Sequence, residues 1–364
     1  MTATAGAQRG FLDVAVIGGG QAGLAVGYYL RRTGLRYLIL DAEPAPGGAW
    51  RHTWRSLRLF SPARWSSLPG WVMPGGPDYY PSRDDFIAYL TEYERRYQLA
   101  IERPVVVERV EDDGHGLSVI TDRGALQARM VVSATGTWNA PRIPDYPGQE
   151  QFRGILLHAN DYDSPLEFVG QRVVVVGGGN TGAQVVAELS EVADTTWVTR
   201  RPPTFLPSDI DGRYLFDRAT ARYAALQRGD DPETAAEPNL GDIVQVAPVR
   251  EALARGALEA VRPFTAFTEH GVIWPDGREE AIDVVIWCTG YRAVLDHLQP
   301  LGIVDGSGCV AVSGTRLVAS PRLWLVGYGE WTGYASATIV GVGRTARATV
   351  AEIATERAGA VRVG

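Results

Sequence analysis

Cysteine is scarce in this sequence, since its 364 residues contain only two, Cys288 and Cys309. The 20 residues between them exclude a C-x-x-C redox pair and any multi-cysteine metal site, so we expect no bound metal. Basic residues are also few, because 35 Lys and Arg stand against 42 Asp and Glu, a formal charge of -7. Nucleic acid is therefore not expected as a partner, since binding it requires a basic excess.

Long apolar runs are missing as well. No stretch approaches the roughly 20 apolar residues of a membrane span, and the start "MTATAGAQRG" has neither the basic end nor the apolar run of a secretory signal. These features favour a cytoplasmic protein without a membrane partner. The chain length predicts two domains, at about 100 to 200 residues each.

A glycine-rich turn lies near the start of the chain. The run "FLDVAVI" (11–17) predicts a strand, "GGGQAG" a tight turn, and the residues up to Gly34 a helix. A second strand, "RYLILD" (36–41), completes a βαβ unit, the context in which such a turn binds the pyrophosphate of a dinucleotide. Asp41 ends this strand and is placed to accept hydrogen bonds from ribose hydroxyls.

The same plan returns at 173–201, in "RVVVVGGG", a helix and "TTWVTRR". Gly18, Gly20 and Gly23 correspond to Gly177, Gly179 and Gly182, each 159 residues later. The same offset carries Asp41 to Arg200, which Arg201 follows. A guanidinium suits a 2′-phosphate, so the second site is expected to prefer NADPH over NADH; the alternative is that both arginines only solvate a strand end.

Two such turns, one followed by the acidic Asp41 and the other by the basic Arg200, predict FAD in the first site and NADPH in the second. Hydride would then pass from the nicotinamide to the flavin. The predicted fold is α/β, with two Rossmann-like dinucleotide-binding domains, the second inserted into the first. The FAD domain would comprise 1–160 and 290–364, and the NADPH domain 161–289. Residues 204–270, with a predicted helix at 213–228, form either a surface elaboration or a lid over the active site.

The expected sites combine the two turns with the ends of nearby strands. For FAD the predicted residues are Gly18, Gly20, Gln21, Ala22, Gly23, Asp41, Gly48, Trp50, Val107, Ala134, Thr135, Gly136 and Glu330. For NADPH they are Gly177, Gly179, Asn180, Thr181, Gly182, Arg200, Arg201, Thr289 and Gly290. Trp50 would approach the flavin ring, or else serve as a core tryptophan.

The segment "FRGILLHANDY" (152–162) lies between the two turns. With "GGGQAG" and "GGGNTG" it resembles the class B flavin-dependent monooxygenases, whose fingerprint F-x-G-x-x-x-H-x-x-x-(Y/F) is matched by Phe152, Gly154, His158 and Tyr162. The pair Tyr162-Asp163, where this fingerprint ends, resembles the N- or S-oxygenating branch more than the Baeyer–Villiger branch, whose fingerprint closes with Trp-Pro. More narrowly, "GGAWRHTWRSLRLFSPARWSSLPG" is similar to bacterial flavoproteins encoded beside arsenic-resistance genes, with Glu330 where Asp is expected.

The resemblance implies a mechanism. NADPH reduces FAD, O₂ adds at flavin C4a, and the hydroperoxide passes one oxygen to a small soft nucleophile: nitrogen, sulfur or trivalent arsenic. Asn180 is the candidate for contact with the nicotinamide half of NADPH or its phosphates, and Arg58 and Ser61 are candidates for contact with flavin or substrate. His158 either transfers a proton or organises the domain junction.

Three other functions share this architecture. A disulfide oxidoreductase needs a dithiol beside the flavin, and the cysteine count excludes it. A Baeyer–Villiger enzyme acting on a ketone and an NADPH oxidase or sensor without oxygen transfer both remain open. The expected partners are a small-molecule substrate and O₂, and a homodimer is left open.

Overall fold

Two sheets, one with a parallel core and one fully parallel, organise the chain in the computed structural model, which describes residues 11–208, 210, 212, 214, 242–333 and 335–363. The helices are α1 (Gln21–Leu30), α2 (Arg83–Tyr97), α3 (Asn180–Leu189), α4 (Ala247–Ala254) and α5 (Ile339–Val363). The strands are β1 (Leu12–Ile17), β2 (Tyr37–Leu40), β3 (Ile101–Glu102), β4 (Val107–Asp112), β5 (Leu117–Thr121), β6 (Gly124–Ser133), β7 (Ile155–His158), β8 (Arg172–Val176), β9 (Asp194–Val198), β10 (Ala260–Val261), β11 (Ala266–Thr268), β12 (Gly271–Ile273), β13 (Glu279–Ala281), β14 (Val284–Trp287), β15 (Val312–Ser313), β16 (Arg316–Leu317) and β17 (Leu323–Leu325). Within these ranges no helix is long and apolar enough to cross a bilayer.

The first sheet is centred on β1, the strand that precedes the first glycine turn. Its parallel core has the order β17-β6-β1-β2-β3, and β15, β16, β4 and β5 extend it by antiparallel pairing. The apolar run of β1 is almost fully buried because helices cover one face and the β4–β5 hairpin with its neighbours covers the other. The C-terminal helix α5 packs beside α1, so both ends of the chain build this sheet.

The second sheet repeats the plan with five parallel strands, in the order β10-β9-β8-β14-β7. Because its strands follow β6 and precede β15, the sheet lies in sequence between two halves of the first one. Its edge strand β7 spans 155–158, upstream of the boundary that the sequence suggested at 160, and pairs with β14. The chain therefore crosses from the first sheet to the second before residue 155. The sequence does not show this position, because only the pairing of β7 with β14 assigns β7 to the second sheet.

Residues 204–270 are partly described. Helix α4 occupies Ala247–Ala254, whereas the helix predicted at 213–228 lies outside the described residues except for Tyr214. The sequence did not reveal the small antiparallel sheet β11-β12-β13, whose strands have three residues each. Such short strands carry too little alternation to be recognised.

Candidate active site

The first glycine turn is shaped by backbone contacts that leave no room for a side chain. Gly18 has φ +103°, and a Cβ there would lie 2.4 Å from the Ala134 carbonyl oxygen. A Cβ on Gly23 would lie 1.9 Å from the Gly18 oxygen, because α1 packs directly on the turn. Helix α1 starts after Gly20 with no side-chain cap, so its first amides point at the adjoining cleft unpaired by a side chain. Such an end suits a pyrophosphate.

This cleft, here called the first cleft, has a volume of about 520 Å³. The predicted FAD residues that line it are Gly18, Gly20, Gln21, Ala22, Asp41, Gly48, Trp50, Val107, Ala134, Thr135 and Gly136. Gly23 lies behind the turn, and the Glu330 side chain lies outside the described part of the chain. The sequence missed Gly19, Asn160, Tyr291, Val294 and His297, which also line the cleft. Four of these five follow strands β7 and β14 of the second sheet, so no pattern near the first glycine turn points to them.

Asp41 reaches the first cleft as a buried carboxylate, only 4% exposed. Its Oδ2 accepts hydrogen bonds from Arg103 Nε at 3.0 Å and lies 2.9 Å from Arg103 Nη2. Arg103 also pairs with Glu94 at 2.6 Å. The other oxygen of Asp41, Oδ1, accepts only a 3.4 Å hydrogen bond from the Glu43 amide. The carboxylate therefore keeps acceptor capacity for a ribose hydroxyl.

The second glycine turn has the same construction. Gly177 has φ +143°, and a Cβ there would lie 2.2 Å from the Cys288 oxygen, whereas one on Gly179 would meet nothing within 4 Å. Gly182 repeats the close packing of Gly23, since its Cβ would lie 2.1 Å from the Gly177 oxygen. Helix α3 again begins without a side-chain cap, and open space beside Gly179 leaves room for a phosphate.

The second cleft has a volume of about 900 Å³. Of the predicted NADPH residues it is lined by Gly177, Arg200, Arg201, Thr289 and Gly290, and Arg142 adds a third cation. Asn180 and Thr181 line a different cavity, described below, and Gly179 and Gly182 line neither. Three guanidinium groups around one cleft favour an anionic ligand.

The constant offset of 159 residues between the two turns places the counterpart of Asp41 one position too far along the chain. The Gly18 amide donates to the Leu40 oxygen at 2.8 Å, and the Gly177 amide donates to the Val198 oxygen at 2.9 Å. The counterpart of Asp41 is therefore Thr199, and Arg200 comes one residue later, because the second unit is one residue shorter between turn and strand end. The Thr199 hydroxyl is buried and lacks a hydrogen-bond partner among the described residues. A neutral hydroxyl followed by two arginines still fits a phosphorylated ribose.

A third cavity, here called the chamber, lies between the two glycine turns and has a volume of about 300 Å³. It shares six residues with the first cleft, namely Gln21, Trp50, Thr53, Asn160, Tyr291 and Ala337. Its surface is mainly apolar, with Trp50, Trp54, Leu57, Leu59, Phe60 and Trp65 in the walls. The chamber therefore adjoins the space predicted for the flavin and offers an apolar binding site.

Arg58 and Ser61 both line the chamber, as expected for residues near flavin or substrate. Arg58 is exposed, and its guanidinium donates to the Tyr80 carbonyl at 3.3 Å. The Ser61 hydroxyl is buried without a hydrogen-bond partner among the described residues. An unpaired buried hydroxyl is costly unless a ligand or water engages it, so Ser61 is the better candidate for a polar substrate contact.

Asn180 lines the chamber and also binds the backbone of a neighbouring segment. Its Nδ2 donates to the Asp242 oxygen at 3.0 Å, and its Oδ1 accepts from the Val244 amide at 2.9 Å. The side chain thus fixes residues 242–244 against the start of α3. A contact with the nicotinamide half would have to use the remaining hydrogen and lone pair of the amide.

His158 is buried at the junction of the sheets, with 2% exposure. Its Nε2 donates to the Gly290 oxygen at 3.1 Å, and its Nδ1 accepts from the Asn160 amide at 3.3 Å. Burial lowers the pKa of the imidazole, which is therefore neutral near pH 7. Because both ring nitrogens bind backbone atoms, the geometry favours a junction role over proton transfer.

Two contacts fix the wall shared by the chamber and the first cleft. Trp50 Nε1 donates to Gln21 Oε1 at 3.0 Å, and Gln21 Nε2 donates to the Ala337 oxygen at 2.8 Å. Ala337 precedes α5 and lines both cavities, so the start of that helix lies close to both. Trp50 packs edge-on against Phe86, which holds its ring in place.

Comparison with known proteins agrees with this geometry. Residues 15–211 match the family described as pyridine nucleotide-disulphide oxidoreductase. A flavin-containing monooxygenase from Stenotrophomonas maltophilia is 49% identical, with 95% of this chain and 99% of that chain covered and a TM-score of 0.87. Indole-3-pyruvate monooxygenase YUCCA1 of Oryza sativa subsp. japonica is 30% identical, covering 85% of this chain and 83% of that protein. An uncharacterized oxidoreductase, CzcO-like, of Geobacillus kaustophilus is 29% identical, covering 94% of this chain and 98% of that protein.

The matched family spans more than half of the chain, including both glycine turns, and the similar structure covers nearly all of it. The chain therefore belongs to the pyridine nucleotide-disulphide oxidoreductase family and, within it, to the class B flavin monooxygenases, FAD-dependent oxidoreductases whose typical cofactors are FAD and NADPH.

Proposed function

We propose that this flavin monooxygenase uses NADPH and O₂ to oxygenate a small soft nucleophile through a flavin C4a-hydroperoxide. The observation that carries the proposal is the position of the chamber, which lies between the two glycine turns and shares six residues with the first cleft. A substrate in the chamber would thus be adjacent to the flavin.

The protein's own part in the reaction is positioning and water exclusion. The uncapped starts of α1 and α3 would hold the two pyrophosphates, and Asp41 and the pair Arg200 and Arg201 would hold the two riboses. The tryptophan-lined walls of the chamber would limit the entry of water and so protect a reactive oxygen donor from wasteful decay. The domains would divide as in the sequence prediction, with β7 moved to the NADPH domain.

Nitrogen, sulfur and trivalent arsenic are the candidate reacting atoms. The chamber favours a molecule with an apolar or aromatic body, because its lining is mainly apolar and aromatic. A disulfide reductase remains excluded despite the family's description, since both cysteines are free and burial raises the pKa of Cys288 to about 12, which keeps it a thiol.

The test measures NADPH consumption by the FAD-loaded protein with phenyl methyl sulfide, a tertiary amine, arsenite and cyclohexanone, and counts oxygenated product against hydrogen peroxide. We expect sulfoxide or N-oxide formation that matches most of the NADPH consumed. Lactone from cyclohexanone would favour the Baeyer–Villiger alternative. Peroxide equal to the NADPH consumed with every compound would favour the oxidase or sensor alternative and overturn the proposal.

A further inference from the structure

Three polar residues, Asn180, Gln184 and Glu188, follow one side of α3. They are spaced by four residues, so they succeed one another at each turn of the helix. The first two line the chamber. Glu188 lies one turn farther along and contacts Trp54, which forms part of the chamber wall. The helix that begins at the second glycine turn therefore reaches the chamber wall at both ends.

The Glu188 carboxylate is bound by three neutral donors. Its Oε1 accepts from Ser56 Oγ at 2.6 Å and from Trp54 Nε1 at 3.3 Å, and its Oε2 accepts from Tyr162 Oη at 3.2 Å. Burial raises the pKa of Glu188, and these hydrogen bonds oppose the rise. Desolvation of a partly buried carboxylate that is bound only by neutral groups costs free energy, so its presence here points to a specific role.

The segment 54–57 belongs in sequence to the first sheet but packs on the second. Trp54 and Leu57 are buried in the same apolar cluster as Tyr162, Val185 and Ile286. The next residues of the chain, from Arg58 to Ser61, continue the chamber wall. An ion pair of 2.6 Å between Arg55 and Asp163 adds little, because the Arg55 side chain is 78% exposed.

We propose that Glu188 is a positioning residue, which fixes Trp54 so that the wall of the substrate chamber moves together with the NADPH-binding half of the protein. The fingerprint residue Tyr162 holds Glu188 in place from the other side. This role rests on the proposed function only in that the chamber receives the substrate. Loss of the carboxylate frees the Trp54 wall and weakens substrate binding, while both glycine turns keep their geometry.

The experiment measures KM and kcat for phenyl methyl sulfide, together with NADPH oxidation in the absence of sulfide. The variants are Glu188→Ala, Glu188→Gln, Trp54→Phe and the double variant Trp54→Phe/Glu188→Ala. The control is Glu191→Ala, at an exposed residue two positions beyond the end of the same helix that pairs with Arg255. We expect Glu188→Ala to raise KM about tenfold with kcat and sulfide-free NADPH oxidation within twofold of wild type. Glu188→Gln, whose amide oxygen still accepts from Trp54, should stay within threefold.

The double variant decides between positioning and a general loss of stability. Trp54→Phe removes the indole donor, so Glu188→Ala in that background should change KM less than threefold. Independent effects of the two substitutions, or an equal effect on sulfide-free NADPH oxidation, would overturn the role of Glu188. If the wild type binds the sulfide without oxygenating it, the proposed function fails, and dissociation constants from tryptophan quenching replace KM in the same comparison. A sulfide that does not bind the wild type overturns both proposals.

Discussion

At the scale of single residues, the nucleotide preference of the second cleft depends on charge. Arg200 and Arg201 line this cleft beside Gly177, one and two positions beyond the Thr199 counterpart of Asp41. Arg200→Glu places a carboxylate where a 2′-phosphate would bind. We expect the Kd for NADPH to rise roughly ten- to a hundredfold, from the loss of a contact of about 1.5 to 3 kcal/mol, while the Kd for NADH changes little.

Titration of the FAD-loaded protein with each nucleotide measures this preference. Arg255→Glu is a suitable control, because it makes a similar charge reversal on a residue that pairs with Glu191 outside the cleft. Equal losses of NADPH and NADH affinity in Arg200→Glu would show that Arg200 does not contact the phosphate.

His297 makes the stability of the protein depend on pH. The side chain is 4% exposed, hydrogen-bonds Ser133 Oγ at 2.9 Å, and has its pKa lowered to about 4 by burial. Because the pKa of His297 is lower in the folded protein, the unfolded chain takes up this proton at a higher pH than the folded protein does. The free energy of unfolding is therefore not reduced by His297 above about pH 6.5. It falls as the pH drops towards 4, by up to about 3 kcal/mol from this group.

His297→Gln should remove most of that slope. Urea unfolding at pH 7.5, 6.5, 5.5 and 4.5 measures it, with His115→Gln as the control, since the exposed His115 has no such burial. His158 is also buried with a lowered pKa and leaves a residual slope. A slope as steep in His297→Gln as in the wild type would assign the acid sensitivity to other groups.

The residues that the sequence identified share a local signal. Gly18, Gly177 and Asp41 stand at fixed distances from a strand end, so spacing alone predicted them. Thr199, Glu188 and His297 could not be predicted in this way. Thr199 depends on a one-residue difference in the distance from glycine turn to strand end, and the other two depend on partners more than 100 residues away, such as Trp54 and Ser133.

At the scale of elements, the packing of α1 on β1 depends on Gly23. Its Cβ position lies 1.9 Å from the Gly18 oxygen, a backbone atom that cannot move without shifting the turn. Gly23→Ala should therefore push α1 outward, lower stability by about 1 to 3 kcal/mol, and weaken FAD binding at least tenfold.

Gly34→Ala provides the matched control. Gly34 has φ +73° at the far end of α1, and its Cβ position meets nothing within 4 Å. We expect a loss of about 1 kcal/mol from the left-handed backbone, with FAD affinity unchanged. Fluorescence titration with FAD and thermal unfolding of both variants test the contrast, and unchanged FAD affinity in Gly23→Ala would contradict the packing account.

Elements with a strong pattern were predictable, and weakly patterned ones were not. The buried runs of β1 and β8, and the helices after them, agree with the sequence to within a few residues. The edge strand β7 looked like part of the first domain, because its short apolar run is compatible with either sheet. Sheet membership is a long-range property, which residue periodicity does not contain.

At the scale of the whole molecule, the two sheets share one structural framework. The first cleft draws residues from both sheets, since Gly18 follows β1 of the first sheet, whereas Asn160 and Tyr291 follow β7 and β14 of the second. The segment 54–57 from the first half packs in the core of the second sheet. Neither half can unfold without exposing part of the other, so we expect cooperative unfolding.

This coupling predicts how FAD affects stability. Free FAD at 100 times its Kd should stabilise the protein by about 2.7 kcal/mol, because it binds only the folded form. In calorimetry at increasing FAD, a single transition should move upward as a whole, although the first cleft belongs mainly to one sheet. Leu57→Ala removes a side chain buried in the second core from a segment of the first half, and should weaken this coupling. Two transitions in the wild type, only one of which moves with FAD, would show that the halves unfold independently and that the 54–57 segment does not join them.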